Sequence, residues 1–489
     1  MICTFWRIID MRNGLCLKKY ERNDNIVVEV YIRRKFIMTQ FFWGNSSSSM
    51  QTEGGWNEGG KSLSVYDIVE PAEHRSDWHF ANDNYHSFDE DLDLMKDLGM
   101  NMYRFQVSWS RCVRDGDGEF NEEGLAFYDR LIDGLLERNI TPMICMYHFD
   151  MPLHLAEAYN GFLSKDVTEA FIRFGKKIID RYSDRVKYWI TFNEQNLYHN
   201  PYAYKIAGSE NCEKNTNTLY QIFHNVMYAH CAICDYLHEN SDAKIGGMLA
   251  YSEVYPATCK PLDILCARKH DEFMNLTLLD AFAHGHYSEE MMHYVETHRI
   301  DMNATEEELE VIRHHKEDYI CFSYYCSTTV NSDKIPEGTV PNEYLMYGGQ
   351  DNPYLETTEW NWQIDPLGFR DVINKIYKRT GLPVFPIENG IGVQEEWDGE
   401  HEIQDDYRIA YHREHIKEMY NAMHEDGIPV LGYLGWGLID ILSSQGDMRK
   451  RYGVVYVNRT NHDLRDMKRV PKKSYHWLKK VIESDGEEM

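Results

Sequence analysis

Residues 166–195 read DVTEAFIRFGKKIIDRYSDRVKYWITFNEQ and contain one complete helix-to-strand unit. Over 166–183 apolar residues recur every three or four positions, which predicts an amphipathic helix. The next run, VKYWITF at 186–192, is short and rich in aromatic and β-branched residues, which predicts a strand buried on both faces. The unit ends in Asn193 and Glu194, two polar residues placed just after an apolar strand.

The same alternation of helix and strand runs along most of the chain. Further helical patterns cover 88–99, 125–139 and 472–484. Eight strand-like runs can be counted, at 41–46, 101–108, 141–148, 186–192, 244–250, 319–325, 384–389 and 430–436. Strands that alternate with helices predict a parallel sheet, and eight such units predict a single-domain α/β fold, a (β/α)8 TIM barrel with long βα loops.

The two ends of the chain differ from the region between them. Residues 1–37 are poorly patterned and carry eight Lys plus Arg against four Asp plus Glu, whereas the whole chain has net charge −28. We interpret 1–37 as an N-terminal extension, either loosely attached or upstream of a natural start at Met38. Residues 38–484 form the predicted barrel, and 485–489 an acidic tail. Mass spectrometry of the native N-terminus would reject a start at Met38 if residues 1–37 were found.

Composition excludes several classes of function. A net charge of −28 argues against general nucleic-acid binding and against an anionic membrane surface. No apolar run reaches 18 residues, and no secretory signal is visible. The 11 cysteines form no framework, which favours free thiols in a reducing cytoplasm. The CAIC segment, Cys231 to Cys234, has redox spacing but lies in a helical pattern, so we interpret it as structural.

Two of the predicted strands end in a glutamate beside an asparagine. The fourth gives Asn193 and Glu194, and the seventh gives Glu388 and Asn389. In a (β/α)8 barrel the carboxyl ends of the strands form the active-site face, so both glutamates are expected there. Two facing carboxyl groups suit hydrolysis of an acetal, in which one donates a proton and the other attacks or activates water. Their separation, which sequence cannot measure, decides between retention and inversion.

The motifs around these glutamates resemble those of glycoside hydrolase family 1, the retaining β-glucosidases. TFNEQ (191–195) and PIENG (386–390) are similar to the family's paired motifs TFNEP and TENG. The resemblance extends over nearly the whole chain from residue 41, through FFWGNSSSSMQTEGGWNEGGKSLSVYD (41–67), MYRFQVSWSR (102–111), MYHFDMP (146–152), FSYYCS (322–327) and GYLGWGLID (432–440). Gln195 and Ser323 depart from the most familiar forms of these motifs, and the Ser323 form resembles the phosphoglycosidase branch.

The resemblance implies a role for each matching position. Glu194 corresponds to the general acid/base and Glu388 to the nucleophile. Tyr325 corresponds to the tyrosine that orients the nucleophile, with Arg104 as a supporting cation beside it. The positions that grip the sugar at the cleavage site are Gln51, His148, Asn193 and Trp436, and Trp362 lines the leaving-group side.

The loop after the eighth strand departs from the unphosphorylated β-glucosidases. Those relatives have an acidic loop of the form DNFEW, whereas this chain has LIDILSSQGDMRKRYG (438–453), which contains no Glu. A serine, Lys450 and Tyr452 resemble the phosphate-binding loop of the 6-phospho-β-glycosidases. Loop spacing favours Ser444 and keeps Ser443 as the alternative. Arg449 and Arg451 are expected to pair with nearby acids.

These features predict a retaining 6-phospho-β-glucosidase of a bacterial cytoplasm, which hydrolyses cellobiose 6-phosphate or aryl β-glucoside 6-phosphates to glucose 6-phosphate. The alternatives are a 6-phospho-β-galactosidase, an unphosphorylated β-glucosidase and, in another class, a non-catalytic barrel that binds sugar phosphates. The mechanism implies no cofactor and no metal. The expected partner is the phosphorylated substrate, with no nucleic acid and no membrane, and a homo-oligomer is compatible with the sequence.

Overall fold

The computed structural model describes four parts of the 489-residue chain, residues 5–10, 15–22, 25–32 and 40–489. The chain divides into two compact units, Met1–Phe41 and Phe42–Met489. In the first, an antiparallel sheet pairs three strands in chain order, Phe5–Asp10, Leu15–Arg22 and Asn25–Ile32. Met38 lies outside the described residues, so its role as the natural start stays a prediction.

The second unit is built around eight parallel strands. They are β1 (Phe42–Ser46), β2 (Met102–Gln106), β3 (Thr141–Tyr147), β4 (Tyr188–Phe192), β5 (Lys244–Ala250), β6 (Tyr319–Tyr324), β7 (Val384–Asn389) and β8 (Gly432–Trp436). Each lies within or across one of the eight runs expected from the sequence. Their order in the sheet is β7-β6-β5-β4-β3-β2-β1-β8.

The sheet closes into a barrel at its two ends. The pairing of β8 with β1 begins at Gly432 and Phe42. A parallel bridge from Val384 to Val430 links β7 to the residues just before β8. The predicted (β/α)8 barrel is therefore confirmed.

After each strand, one helix that packs on the outside of the barrel is given the number of that strand. The eight are α1 (Asn84–Leu98), α2 (Glu122–Glu137), α3 (Lys165–Tyr182), α4 (Thr216–Asn240), α5 (Thr277–His284), α6 (Pro366–Thr380), α7 (Asp406–His424) and α8 (Lys473–Glu483). The loops hold further helices at Ser49–Thr52, Trp109–Cys112, Leu153–Tyr159, Ala203–Ile206, Pro261–Asp271, Glu272–Leu276, Glu289–His298, Glu306–His314 and Tyr344–Gly348. No helix in the described residues is long and apolar enough to cross a membrane.

Local chemistry sets the helix ends. Ser164 caps α3 by accepting a hydrogen bond from the backbone N–H of Asp166, and Asn215 and Thr218 form a capping box at the start of α4. The Cys231 to Cys234 segment lies inside α4, as expected. Helix α1 begins four residues before the predicted 88, because its first turn is mostly polar and shows no apolar period.

Side chains fill the barrel interior. The fully buried cluster contains Phe42, Met102, Met143, Cys145, Ile190, Met248, Tyr319, Cys321, Phe385, Ile387 and Leu434. Close strand packing requires glycine at Gly44, where a Cβ atom would lie 1.9 Å from the carbonyl oxygen of Met102. This packed interior fixes the strand ends, and with them the side chains that follow each strand.

Candidate active site

The predicted site residues meet in one cavity of about 350 Å³ at the carboxyl ends of the strands. Ten of them line it: Gln51, His148, Asn193, Glu194, Tyr325, Trp362, Glu388, Trp436, Ser444 and Tyr452. Glu388 is the fifth residue of β7, and Glu194 follows β4 by two residues. The barrel thus brings together two carboxyl groups that are 194 positions apart in sequence.

Glu388 is buried and held by two donors. Arg104, on β2, donates to its Oε1 at 2.6 Å, and the Tyr325 hydroxyl donates to its Oε2 at 2.9 Å. Burial raises the pKa of Glu388, while the positive charge of Arg104 and the hydrogen bonds from Tyr325 and Arg104 oppose that rise. Both oxygens are oriented, so the carboxylate is fixed in place.

Glu194 lies in a different environment. Its backbone is left-handed, with φ of 45°, a conformation that costs about 1–3 kcal/mol in a residue other than glycine. The Ser323 hydroxyl donates to its Oε1 at 2.5 Å. Burial and the negative charge of Glu388 raise the pKa of Glu194 to about 8. At neutral pH Glu194 is therefore mostly protonated.

A register irregularity between β6 and β7 positions Ser323. Phe322 pairs with Pro386, but the next residue, Ser323, pairs with Glu388, so Ile387 is skipped. Such bulges re-aim side chains beside active sites. Here the shift sets Ser323 opposite Glu388 while its hydroxyl contacts Glu194.

The remaining cavity residues offer polar groups and an aromatic surface. Arg104 Nη2 donates to Asn193 Oδ1 at 2.7 Å, while Asn193 Nδ2 has no hydrogen-bond partner among the described residues. The His148 ring stacks on Trp436 with centroids 5.5 Å apart. Burial, aided by the charge of Arg104, lowers the pKa of His148 well below its ordinary value, so the ring is neutral.

The loop after β8 contains three consecutive cations with different partners. Arg449 donates to Asp447 at 2.7 Å, and Arg451 donates to Asp440 at 2.9 Å. These ion pairs confirm the expectation for both arginines. Lys450, although buried, forms no ion pair within the described residues.

Aromatic rings surround the Lys450 ammonium instead of a carboxylate. Its Nζ lies 3.5 Å from the ring centroid of Trp362, 5.3 Å from that of Trp360 and 5.5 Å from that of Tyr452. Burial lowers the pKa of Lys450 to about 8. Trp362 and Tyr452 line the cavity, so this ammonium lies at its edge.

The two serines of the loop face different surroundings. Ser444 is exposed and lines the cavity. Ser443 is buried, and its hydroxyl oxygen accepts hydrogen bonds from the backbone N–H groups of Asp447 and Gln445. Gln51 Nε2 donates to the carbonyl oxygen of Leu442 at 2.7 Å, which ties this loop to the one after β1.

Comparison with known proteins identifies the family. The profile of Glycosyl hydrolase family 1 matches residues 33–487. The chain belongs to this family.

Similar family members include enzymes with phosphorylated substrates in their names. The chain is 38% identical over 462 residues to aryl-phospho-beta-D-glucosidase BglH of Bacillus subtilis, covering 92% of this chain and 98% of that protein. It is 34% identical over 471 residues to 6-phospho-beta-glucosidase AscB of Escherichia coli, with the same coverage. Among solved structures, a family 1 β-glucosidase from Thermotoga maritima matches with a TM-score of 0.82 and 27% identity, covering 92% of this chain and 98% of that one.

Within this family 1 site, three of the predicted residues are not among those that line the cavity. Arg104 is fully buried behind Glu388, Ser443 is turned into its own loop, and Lys450 is covered by Trp362. The roles of these residues stay predictions.

Ser323 and Trp360 lie at the site although no role was predicted for either from the sequence. Ser323 is a polar residue near the end of an apolar strand, which is the signal that identified the glutamates, so its contact with Glu194 could have been anticipated. Gln195, which departs from the familiar form of its motif, is buried at the start of a 3-10 helix, Gln195–His199. Its side-chain amide has no partner among the described residues.

Proposed function

We propose that the chain is a retaining 6-phospho-β-glucosidase, which hydrolyses 6-phosphorylated β-glucosides to glucose 6-phosphate and an aglycone or glucose. The family and the names of its relatives support the reaction class. The single observation that carries the phosphate preference is Lys450, a buried ammonium without a carboxylate partner in the described residues, between two arginines that each have one.

The ammonium of Lys450 is buried and therefore desolvated. A buried, unpaired cation is unfavourable, as the lowered pKa of Lys450 indicates. A dianionic phosphate at the cavity edge would supply the missing negative charge and form charge-assisted hydrogen bonds. The two acids of the loop, Asp440 and Asp447, are already neutralised by Arg451 and Arg449, so neither repels such a ligand.

The proposed chemistry gives each glutamate a different role: Glu388 is the nucleophile, and Glu194 is the acid in the first step and the base in the second. Glu388 attacks the anomeric carbon while Glu194 donates its proton to the glycosidic oxygen, so the bond to the aglycone breaks and a glycosyl ester forms. Esterification removes the negative charge of Glu388, and the pKa of Glu194 falls. Glu194 then accepts a proton from water, which attacks the anomeric carbon and releases the sugar with its configuration retained.

The loop also supports glucosides over galactosides. Ser444 suits the glucosidase spacing and lines the cavity, whereas Ser443, which suits the galactosidase spacing, already accepts two backbone hydrogen bonds. We therefore assign the phosphate contact to Ser444 with Lys450 and Tyr452. We place the enzyme in a bacterial cytoplasm, where uptake systems that phosphorylate sugars produce such substrates.

Three nitrophenyl substrates test the proposal: the β-glucoside, its 6-phosphate and the β-galactoside 6-phosphate. We expect the highest kcat/KM for the glucoside 6-phosphate. A higher value for the free glucoside would reject the phosphate preference, and a higher value for the galactoside 6-phosphate would reverse the sugar assignment. Binding of the phosphorylated substrates without turnover would identify a non-catalytic barrel.

A further inference from the structure

The ammonium of Lys450 is engaged by an aromatic ring and is not open to the cavity. Its Nζ lies 3.5 Å from the ring centroid of Trp362. Trp362, Ser444 and Tyr452 line the cavity that contains both glutamates. Lys450 is buried and is not among the residues that line it. A phosphate in this cavity can therefore meet the two hydroxyl groups directly, but it meets the ammonium only if the Trp362 ring gives way.

The stem of Lys450 has little freedom to move in place of the ring. A Cβ atom on Gly392 would lie 2.6 Å from Lys450 Cγ and 2.7 Å from its Cε, so the stem lies close against this glycine. The backbone of Lys450 is held as well, because it pairs with Gln394. With backbone and stem confined, the indole of Trp362 is the group that can yield.

A short turn places the Trp362 ring over the ammonium. Trp362 lies in residues 357–363, whose two ends are joined by an antiparallel bridge. Within this turn, Glu359 Oε1 accepts a hydrogen bond from the backbone N–H of Gln394 at 2.6 Å. Gln394 is the residue that pairs with Lys450, so the turn is fastened beside the ammonium. The contact between ring and ammonium is thus supported by the packing of three loops.

The ring partly replaces the water that burial removes from the ammonium. A cation–π contact is strongest when both groups are desolvated. Lys450 forms no ion pair within the described residues, so the ring is its main electrostatic partner. Charge-assisted hydrogen bonds to a phosphate dianion are stronger than this contact, so a phosphate can displace the ring. A neutral 6-hydroxyl group gains too little to do so.

We propose that Trp362 is an internal competitor for the Lys450 ammonium. Its ring holds the ammonium while the site is empty, yields it to the phosphate of the substrate and takes it back when glucose 6-phosphate leaves. The inference rests on the proposed function, because it assumes that phosphate binds at Ser444, Lys450 and Tyr452.

This competition matters because substrate and product contain the same phosphate. A contact that binds both equally lowers KM without raising kcat, and it also retains the product. A dianion paired with a desolvated ammonium that had no other partner would be slow to leave. By offering the ammonium a second partner, Trp362 weakens phosphate binding in both complexes and favours release of the product.

Product inhibition measures the competition. The inhibition constants of glucose and of glucose 6-phosphate are determined with nitrophenyl β-glucoside 6-phosphate as the substrate. The pH is kept more than one unit below the pKa of Lys450, which is about 8, so that the ammonium is protonated. The ratio of the glucose constant to the glucose 6-phosphate constant isolates the phosphate, and neither inhibitor has an aglycone that would contact Trp362.

We expect this ratio to rise about 3- to 30-fold in Trp362→Leu, which keeps an apolar cover but removes the π face. Trp362→Phe should lie between Trp362→Leu and the wild type, because phenyl binds a cation more weakly than indole does. Trp397→Leu is the matched control. The Trp397 ring centroid lies 5.0 Å from Lys468 Nζ, in a different cation–π pair, so the ratio should not change.

An unchanged or smaller ratio in Trp362→Leu would contradict the competition, and so would a rise that persists when Lys450→Met is also present. If Trp362→Leu does not fold by circular dichroism, Trp362→Phe decides in its place. A wild-type ratio near one would reject the phosphate preference itself and the inference with it. Failure of the proposed function is therefore distinguishable from failure of the competition, which leaves the wild-type ratio high.

Discussion

At the residue scale, two glutamates with similar sequence contexts acquire different protonation. Both follow apolar strands and both are adjacent to asparagine. Of the two glutamates, only Glu388 accepts hydrogen bonds from Arg104 and Tyr325. These contacts stabilise its ionised form. Glu194 has a single hydroxyl partner and feels the charge of Glu388. This difference in environment supports the proposed roles of Glu194 as the acid and Glu388 as the nucleophile.

Replacing Glu388 tests the nucleophile. In Glu388→Gln we expect kcat to fall on the order of 10⁴-fold or more, because the covalent step loses its attacking group. Steady-state hydrolysis of the nitrophenyl glucoside 6-phosphate measures the loss. Activity within tenfold of the wild type would mean that the nucleophile is misassigned.

The pH dependence of kcat/KM tests the acid. A proton on Glu194 is required, so kcat/KM is expected to be high below its pKa of about 8 and to fall as pH rises through it. The hydrogen bond from Ser323 stabilises the carboxylate and lowers this pKa. In Ser323→Ala the alkaline limb is therefore expected to move to higher pH.

Ser327→Ala is the matched control for Ser323→Ala. Ser327 is a nearby buried serine whose hydroxyl has no hydrogen-bond partner among the described residues. Its removal should leave the alkaline limb in place. An unmoved limb in Ser323→Ala, or an equal movement in both variants, would contradict the role given to Ser323.

At the element scale, a short pairing of two loops positions the predicted phosphate site. Val393–Gln394, after β7, pairs antiparallel with Lys450–Arg451, after β8. This pairing fixes the backbone of Lys450 beside the strand that contains Glu388. The proposed phosphate loop and the proposed nucleophile are thereby attached to neighbouring parts of the barrel.

Lys450→Met tests the loop. We expect kcat/KM for the phosphorylated substrate to fall roughly 30- to 1000-fold, chiefly through KM. This corresponds to a loss of about 2–4 kcal/mol of binding free energy. The free glucoside should be nearly unaffected. Arg449→Met is the comparison in the same loop: it leaves Asp447 without its cation but keeps the Lys450 ammonium, so we expect a smaller loss than in Lys450→Met. Equal losses in both variants would indicate a general disturbance of the loop.

The charge on Lys450 gives a second pH signature. The ammonium is protonated below its pKa of about 8, so the preference for phosphorylated over free glucoside should decrease as pH rises through that value. Taking the ratio of the two kcat/KM values cancels the titration of Glu194. The decrease should disappear in Lys450→Met, and its persistence there would assign it to another group.

At the scale of the whole molecule, a buried ion network closes the last part of the barrel. Lys472, just before α8, contacts Glu395 and lies 3.0 Å from Asp440. Arg408, on α7, pairs with Glu395 at 2.9 Å. The network connects loops after β7 and β8 with two outer helices, and it is almost completely shielded from water.

Lys472→Met should destabilise the fold by about 1.5–3 kcal/mol, because it removes one of the two cations that contact each of the buried carboxylates Glu395 and Asp440. Urea unfolding followed by tryptophan fluorescence measures the change. Lys473→Met is the matched neighbour, since its pair with Asp406 is exposed, and we expect a change within about 0.5 kcal/mol. Equal effects at both positions would contradict the role of the network.

The sequence alone determined the barrel, the positions of the two glutamates proposed as catalytic, and the unusual loop after β8. Apolar periodicity specifies which face of each element is buried, and the order of strands and helices then leaves few possible topologies. Strand ends indicate the functional face without coordinates, because the fold presents them on one side.

Only the tertiary structure decided which charges remain unpaired and which groups meet. The sequence predicts acidic partners for Arg449 and Arg451 but does not identify them; the folding of the loop selects Asp447 and Asp440. The contact of Ser323 with Glu194 joins positions 129 residues apart. The buried pair of His230 with Glu317 likewise joins α4 to a later segment. Electrostatic and hydrogen-bond energies depend on distance and burial, which local sequence patterns do not contain.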